Sequence, residues 1–120
     1  MKHGVPALAI LLLIGCAPST PPEIYADTER GEQIRRAAVL VTLDYTKAIV
    51  YSSDPECTAF ASRGGLTVVC ALALRYNKHF LAKILQHENC HHKQMRERRH
   101  LTESDCQFWT PNEHRGGGRV

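Results

Sequence analysis

The chain lacks a hydrophobic run long enough to cross a bilayer: its longest, Val5 to Ile14, spans ten residues, about half of what a membrane-spanning helix requires. It also lacks any C-x-x-C spacing, so a thiolate metal site has little support. Aromatic residues are scarce at 7%, and none stands among the Lys and Arg residues between Lys93 and Arg99. Interleaved stacking and charge are therefore missing, and no nucleic-acid partner is expected. No internal repeat occurs, and 120 residues leave room for one domain. With a formal net charge of +3, the basic run reads first as a solvated helix face.

What is present begins at the amino terminus. Lys2 and His3 precede the short apolar run, the pattern of a signal-peptide core. The run ends in Leu13-Ile14-Gly15-Cys16, which resembles the lipobox of bacterial lipoproteins. The resemblance implies cleavage before Cys16 and a lipid anchor on that residue, attaching the protein to a membrane. Ala17 stands where an aspartate would favour inner-membrane retention. The implied address is thus the bacterial cell envelope, at the periplasmic face of the outer membrane. An ordinary secretory signal, or an uncleaved anchor, with an incidental Cys16 is the alternative. Residues 1–15 are expected to be the signal peptide and 16–26, rich in Pro and small polar residues, an extended tether. The domain is expected over 27–110, with a loose tail over 111–120.

Setting Cys16 aside leaves Cys57, Cys70, Cys90 and Cys106. An exported domain with fewer than about 90 ordered residues has a small core and needs staples. Four cysteines allow three pairings. Nearest-neighbour bridges, Cys57 with Cys70 and Cys90 with Cys106, are preferred, and the other pairings stay open.

Along the domain, Asp27 or Thr28 can cap a short helix over DTERGEQIRRAA. AVLVTLDYTKAIVYSS, residues 38–53, is dense in strand formers and reads as one or two strands around Asp44, with a helix through Leu43 as competitor. TAFASRGGLTVVCALAL reads as a hairpin turning at Arg63-Gly64-Gly65. Asn77 can cap a second helix, in which Phe80, Leu81, Ile84 and Leu85 recur at helical spacing out to Arg98 or Arg99. The expected fold class is α+β, a small antiparallel or mixed sheet packed on a long helix.

That helix carries His87-Glu88-Asn89-Cys90-His91, an H-E-x-x-H pattern. At about 100° per residue, His87, Glu88 and His91 fall within about 60° of Ile84, on the stripe a structural helix fills with apolar residues. Burying them without partners would cost several kcal/mol; a metal ion or a buried hydrogen-bond network must satisfy them. Residues four apart project side by side, so His87 and His91 can each place a nitrogen about 2 Å from one zinc ion, Zn2+. Glu88 is offset and can take the proton of an attacking water.

The strand and helix over residues 66–91 resemble the catalytic half of a zincin metallopeptidase. The resemblance implies a zincin-like minimal domain with disulfides, and zinc-dependent hydrolysis of a protein or cell-wall peptide. It implies Glu88 as the catalytic base and Leu66 to Leu74 as a sheet-edge strand holding an extended substrate. The metzincin continuation fails, because Gln94 and Glu97 stand where glycine and histidine belong. A gluzincin-like carboxylate from a following helix fits better, over LTESDCQFW with Thr102 as cap and Asp105 as its partner. A Cys90–Cys106 bridge would bring Glu103 to the metal as third ligand, with Asp105 and His100 as alternatives. The acidic residue expected four after Glu103 is replaced by Gln107. His92 is expected in a supporting or surface role, His79 and His114 in solvent, and Trp109 over the helix pair.

Two functions follow. One is a lipid-anchored zinc metallopeptidase. The other is a non-catalytic envelope lipoprotein, a structural or assembly factor of a secretion, conjugation or phage-encoded system, in which a metal or polar cluster staples the fold.

Overall fold

A computed structural model describes residues 20–111 and 113. The signal segment, Cys16, most of the tether, and His114 with the rest of the tail lie outside the described residues. Two helices, α1 (Thr28–Ala38) and α2 (Lys78–Arg96), pack on a four-stranded sheet: β1 (Glu23–Tyr25), β2 (Ala48–Ser52), β3 (Ala59–Ser62) and β4 (Leu66–Cys70). The strand order is β1-β2-β4-β3; β1, β2 and β4 run parallel and β3 runs antiparallel to β4. The fold is thus a small α+β domain with a mixed sheet.

Asp27 caps α1 by accepting the Arg30 N–H at 2.9 Å, and Gly31, Ile34 and Ala37 form the buried face at a spacing of three. Asn77 caps α2, accepting the Phe80 N–H at 2.9 Å. Strand register places Ile24, Ile49, Thr67 and Ala61 in one row across the sheet. This row faces the helices, where Ile49 and Val69 meet Ile34, Leu81, Ile84 and Leu85 in a single core. Small side chains at Ala59 and Ala61 leave room beside α2 on the β3 side.

Both bridges of the domain join nearest neighbours. Cys57–Cys70 ties the segment before β3 to the end of β4, with Cα atoms 5.3 Å apart. Cys90–Cys106 ties α2 to the segment after it, with Cα atoms 5.6 Å apart. The hairpin turns where expected: Gly64 and Gly65 adopt φ of 77° and 86°, a region that disfavours L side chains. At Gly65 a Cβ would also come within 3.0 Å of the Lys47 side chain and 3.1 Å of the Tyr45 carbonyl.

Five expectations change. Strand over 38–53 is confined to Ala48–Ser52; α1 runs to Ala38, Val39 and Leu40 are left exposed, and 39–47 crosses back as a loop. That loop is held by tertiary bonds rather than a ladder: Tyr45 N–H and Thr46 Oγ1 donate to Asn89 Oδ1 of α2 at 2.8 and 3.1 Å. β1 lies inside the stretch read as tether, because Ile24 packs on the core and Glu23 N–H donates to the Lys47 carbonyl at 3.1 Å. β4, expected at the sheet edge, is interior between β2 and β3. The helix expected over 101–109 is only a 3-10 turn at Ser104–Cys106.

Helix α2 also ends sooner than Arg98. Arg98 adopts φ of 56°, donating to the Met95 carbonyl at 3.1 Å while Arg99 donates to the Gln94 carbonyl at 2.9 Å. This is the Schellman reversal, with arginine where glycine usually stands. It turns the chain back along α2, which is what allows Cys106 to reach Cys90.

Candidate metal centre

The second half of α2 buries polar residues where the first half buries apolar ones. His87, Glu88 and His91 are 6%, 6% and 7% exposed, so the motif occupies the inward stripe. One ligand atom from each lies within 4.8 Å of the others, a group able to hold a metal ion. Behind the rings, the outer nitrogens are fixed. His87 Nδ1 lies 2.6 Å from the Cys106 carbonyl, an obligate acceptor, so the ring nitrogen must donate. His91 Nδ1 lies 3.0 Å from Gln94 Oε1.

Gln94, 1% exposed, is itself held in one orientation. Its amide N–H donates to Thr102 Oγ1 at 3.0 Å and to the Thr102 carbonyl at 3.4 Å, while its Oε1 accepts the Thr102 N–H at 3.3 Å. Only the amide oxygen therefore faces His91, and His91 Nδ1 donates to it. With both Nδ1 atoms carrying protons, a neutral pair turns two bare Nε2 lone pairs toward each other, 3.1 Å apart. Glu103 completes the convergence: its Oε2 lies 3.1 Å from His87 Nε2 and its Oε1 3.0 Å from His91 Nε2. Electron-pair donors turned toward one another repel unless a proton or a metal ion stands among them.

Glu103 reaches this point because the Arg98 reversal and the Cys90–Cys106 bridge return the chain. Its carboxylate is the exposed member of the set, 78% accessible against 8% and 9% for the histidine side chains. Of the alternatives, His100 is exposed. Asp105 is turned away: its carboxylate accepts the Thr102 hydroxyl at 2.7 Å, so the expected Thr102–Asp105 pair forms without a helix.

Glu88 sits beside the trio against β3. Its pKa is raised to about 7, first by burial and further by the Glu103 carboxylate, against the opposing pull of His91 and the Ala61 N–H. The Ala61 bond has a simple origin. Cys70 N–H donates to the Thr58 carbonyl at 2.8 Å, and antiparallel alternation in this register turns the N–H and C=O groups of Ala59 and Ala61 away from β4. Glu88 takes one of them. A cavity of about 310 Å³ runs between β3 and α2, walled by Ala59, Phe60 and Ala61 on one side and by His87, Glu88, His91 and Glu103 on the other.

His92 is buried, bonded through Nε2 to Thr67 Oγ1 at 2.8 Å. Burial and the neighbouring His91 lower its pKa, so it serves the helix–sheet contact rather than the surface. His79 is exposed. Trp109 lies over the site's flank, its ring 5.0 Å from that of His87 and 5.3 Å from that of Phe80. Sequence reasoning missed Gln94 as a support and β3 as the strand beside the motif. Gln94 was within reach, since positions 87, 91 and 94 share a helical face.

The chain matches no protein-family model, and comparison with curated proteins and with solved structures finds no match. The chemistry of the centre rests on this chain's own residues.

Proposed function

We propose that the protein is a zinc-dependent hydrolase of peptide bonds, held at the periplasmic face of the bacterial outer membrane by a lipid on Cys16, and acting on protein or cell-wall peptide. The observation that carries this reading is the convergence of His87 Nε2, His91 Nε2 and a Glu103 carboxylate, with the buried Glu88 beside them. Zinc bonds of about 2.0–2.1 Å in a tetrahedral shell separate ligand atoms by about 3.3 Å. The two Nε2 atoms are 3.1 Å apart, and each lies 3.0 to 3.1 Å from one of the two oxygens of the Glu103 carboxylate. A nitrogen, nitrogen and oxygen donor set without thiolate suits a catalytic zinc, which keeps one position open.

His87, His91 and Glu103 would hold the ion, with Cys106 and Gln94 orienting the two rings. When bound, zinc polarises a carbonyl and lowers the pKa of water towards neutrality. The outward backbone groups of Ala59 and the Ala61 carbonyl, which β4 does not pair, can align an extended peptide by strand addition. Glu88 accepts the proton of the attacking water and returns it to the leaving amine as the C–N bond breaks. A group with a pKa near neutrality suits both halves of that exchange. On this reading the substrate would lie against β3 rather than β4.

The test uses the full chain. Metal analysis is expected to find about one zinc per chain, lost in His87→Ala and His91→Ala and weakened in Glu103→Ala. Glu88→Gln is expected to keep the zinc while peptide hydrolysis falls by about 10²–10⁴-fold. A wild-type chain without zinc, or full activity in Glu88→Gln, overturns the reading. A chain that binds zinc but hydrolyses no peptide supports the structural-lipoprotein alternative.

A further inference from the structure

Beside the metal groove lies a larger cavity, of about 610 Å³, that shares Met95 and Leu101 with it as a common wall. Five cationic side chains line it: Lys47, Arg63, Arg96, Arg98 and Arg99, with no Asp or Glu among the lining residues. Basic residues at a helix C-terminus are favourable by themselves, which accounts for the three arginines from the end of α2. It does not account for Lys47, from the loop before β2, or Arg63, from the hairpin turn. These two are drawn to the same cavity by backbone contacts: Lys47 N–H donates to the Gly65 carbonyl at 2.8 Å, and Gly65 packs against the Lys47 side chain.

Partners inside the protein neutralise little of this charge. Arg99 pairs with Glu97 at 2.9 Å and Arg96 lies over the Tyr45 ring at 5.9 Å. Lys47, Arg63 and Arg98 have no carboxylate partner among the described residues. Arg98 is held in the left-handed region, where glycine is the less strained residue. Like charges gathered from three segments into one concavity repel one another, and an anion relieves the repulsion.

We propose that this cavity is a subsite for an acidic residue of the substrate, which makes the hydrolase selective for peptides carrying a carboxylate near the scissile bond. The proposal rests on the metallopeptidase reading. Its geometry is direct: Arg63 follows β3 immediately and lies two residues beyond Ala61, about 7 Å at strand rise. A peptide aligned on β3 with its scissile bond at Glu88 therefore reaches the cations within about two or three residues. A concavity continuous with the groove suits a side chain of bound peptide better than a flat lipid surface.

The test compares zinc-loaded full chain on matched peptides with Glu or Gln at each position up to four residues from the scissile bond. At one or more positions on one side, Glu is expected to raise kcat/KM by about tenfold over Gln, an advantage that shrinks as salt rises from about 0.05 to about 0.5 M. In Lys47→Gln/Arg63→Gln the ratio is expected to fall to about one, with cleavage of the Gln peptide unchanged. Arg98→Gly keeps the turn, so it is expected to reduce the ratio without lowering the unfolding temperature. Equal cleavage of Glu and Gln peptides, or a ratio that survives in the double variant, overturns the proposal.

If no peptide is cleaved, calorimetry with the same peptides on Glu88→Gln separates the two readings. Charge-dependent binding lost in the Lys47/Arg63 variant keeps the subsite and sinks the hydrolase; absence of such binding overturns the subsite. Binding to phosphatidylglycerol vesicles that needs these residues, without peptide discrimination, assigns the cations to a lipid surface and also overturns it.

Discussion

The two halves of α2 are buried alike and built from opposite materials. Phe80, Leu81, Ile84 and Leu85 enter the core as apolar side chains, whereas His87, Glu88, Asn89, His91, His92 and Gln94 enter it as polar ones. The first half is stabilised by removal of apolar surface from water, a non-directional effect. In the second half each polar group needs a partner at a particular angle, and each has one: Cys106 and Gln94 for the histidine rings, Thr67 for His92, Tyr45 and Thr46 for Asn89. The lesson is a division of labour along one helix. The apolar turns hold the sheet in place, and the polar turns spend burial on orientation.

The largest expected break in this comparison is at Leu81. Leu81→Ala leaves a cavity in the apolar half and is expected to lower unfolding free energy by about 2–5 kcal/mol, read by denaturant titration, while zinc stoichiometry stays at its wild-type value. Loss of zinc in that variant would show that the halves are not separable.

The two disulfides sharpen the same contrast. Their sequence separations of 13 and 16 give nearly equal loop entropies, so replacing either pair by serine is expected to cost about 3 kcal/mol. Only Cys90→Ser/Cys106→Ser is expected to weaken zinc binding, by about 10–100-fold, because only that bridge holds Glu103 and the carbonyl behind His87. Equal zinc affinity in the two double variants, measured by competition with a chelator, would remove the bridge from the site.

The smallest effect is a pH dependence. In metal-free protein the Glu88 pKa is about 7 against an ordinary 4.5. A raised carboxyl pKa means that folding favours the protonated form. The contribution is fully present below about pH 4.5 and is lost as pH rises through about 7, amounting to at most about 3 kcal/mol. Glu88→Gln is expected to flatten that part of the stability profile; an unchanged profile would show that the carboxyl is better solvated than its burial indicates.

Local signals made much of this legible. The caps at Asp27 and Asn77, the Gly64-Gly65 turn and the inward stripe of α2 are set by residues within a few positions of one another, where propensity and periodicity act. What escaped was decided at long range. Val39 and Val41 are strand formers by type, yet the loop through them follows its bonds to Asn89, 44 positions on from Tyr45. The zincin resemblance puts the strand before the helix at the sheet edge, but strand order depends on long-range pairing, and β3 folds back antiparallel outside β4. The reversal at Arg98 lacks the glycine that usually announces one, so in the sequence the return of Glu103 is marked by Cys106 and not by a turn residue.

That cysteine pair closes a covalent ring. Between Cys90 and Cys106 lie His91, Gln94, the Arg98 reversal, Thr102 and Glu103, and the ring's closing residue offers its own carbonyl to His87. In the language of coordination chemistry the proposed centre would be a macrocyclic chelator with one pendant arm, His87, clipped to the rim. Macrocycles bind by preorganisation: the donors are assembled before any ion arrives, so little ordering remains to oppose capture. A domain too small to surround a metal with walls of packed core can still hold one by wearing it in a loop.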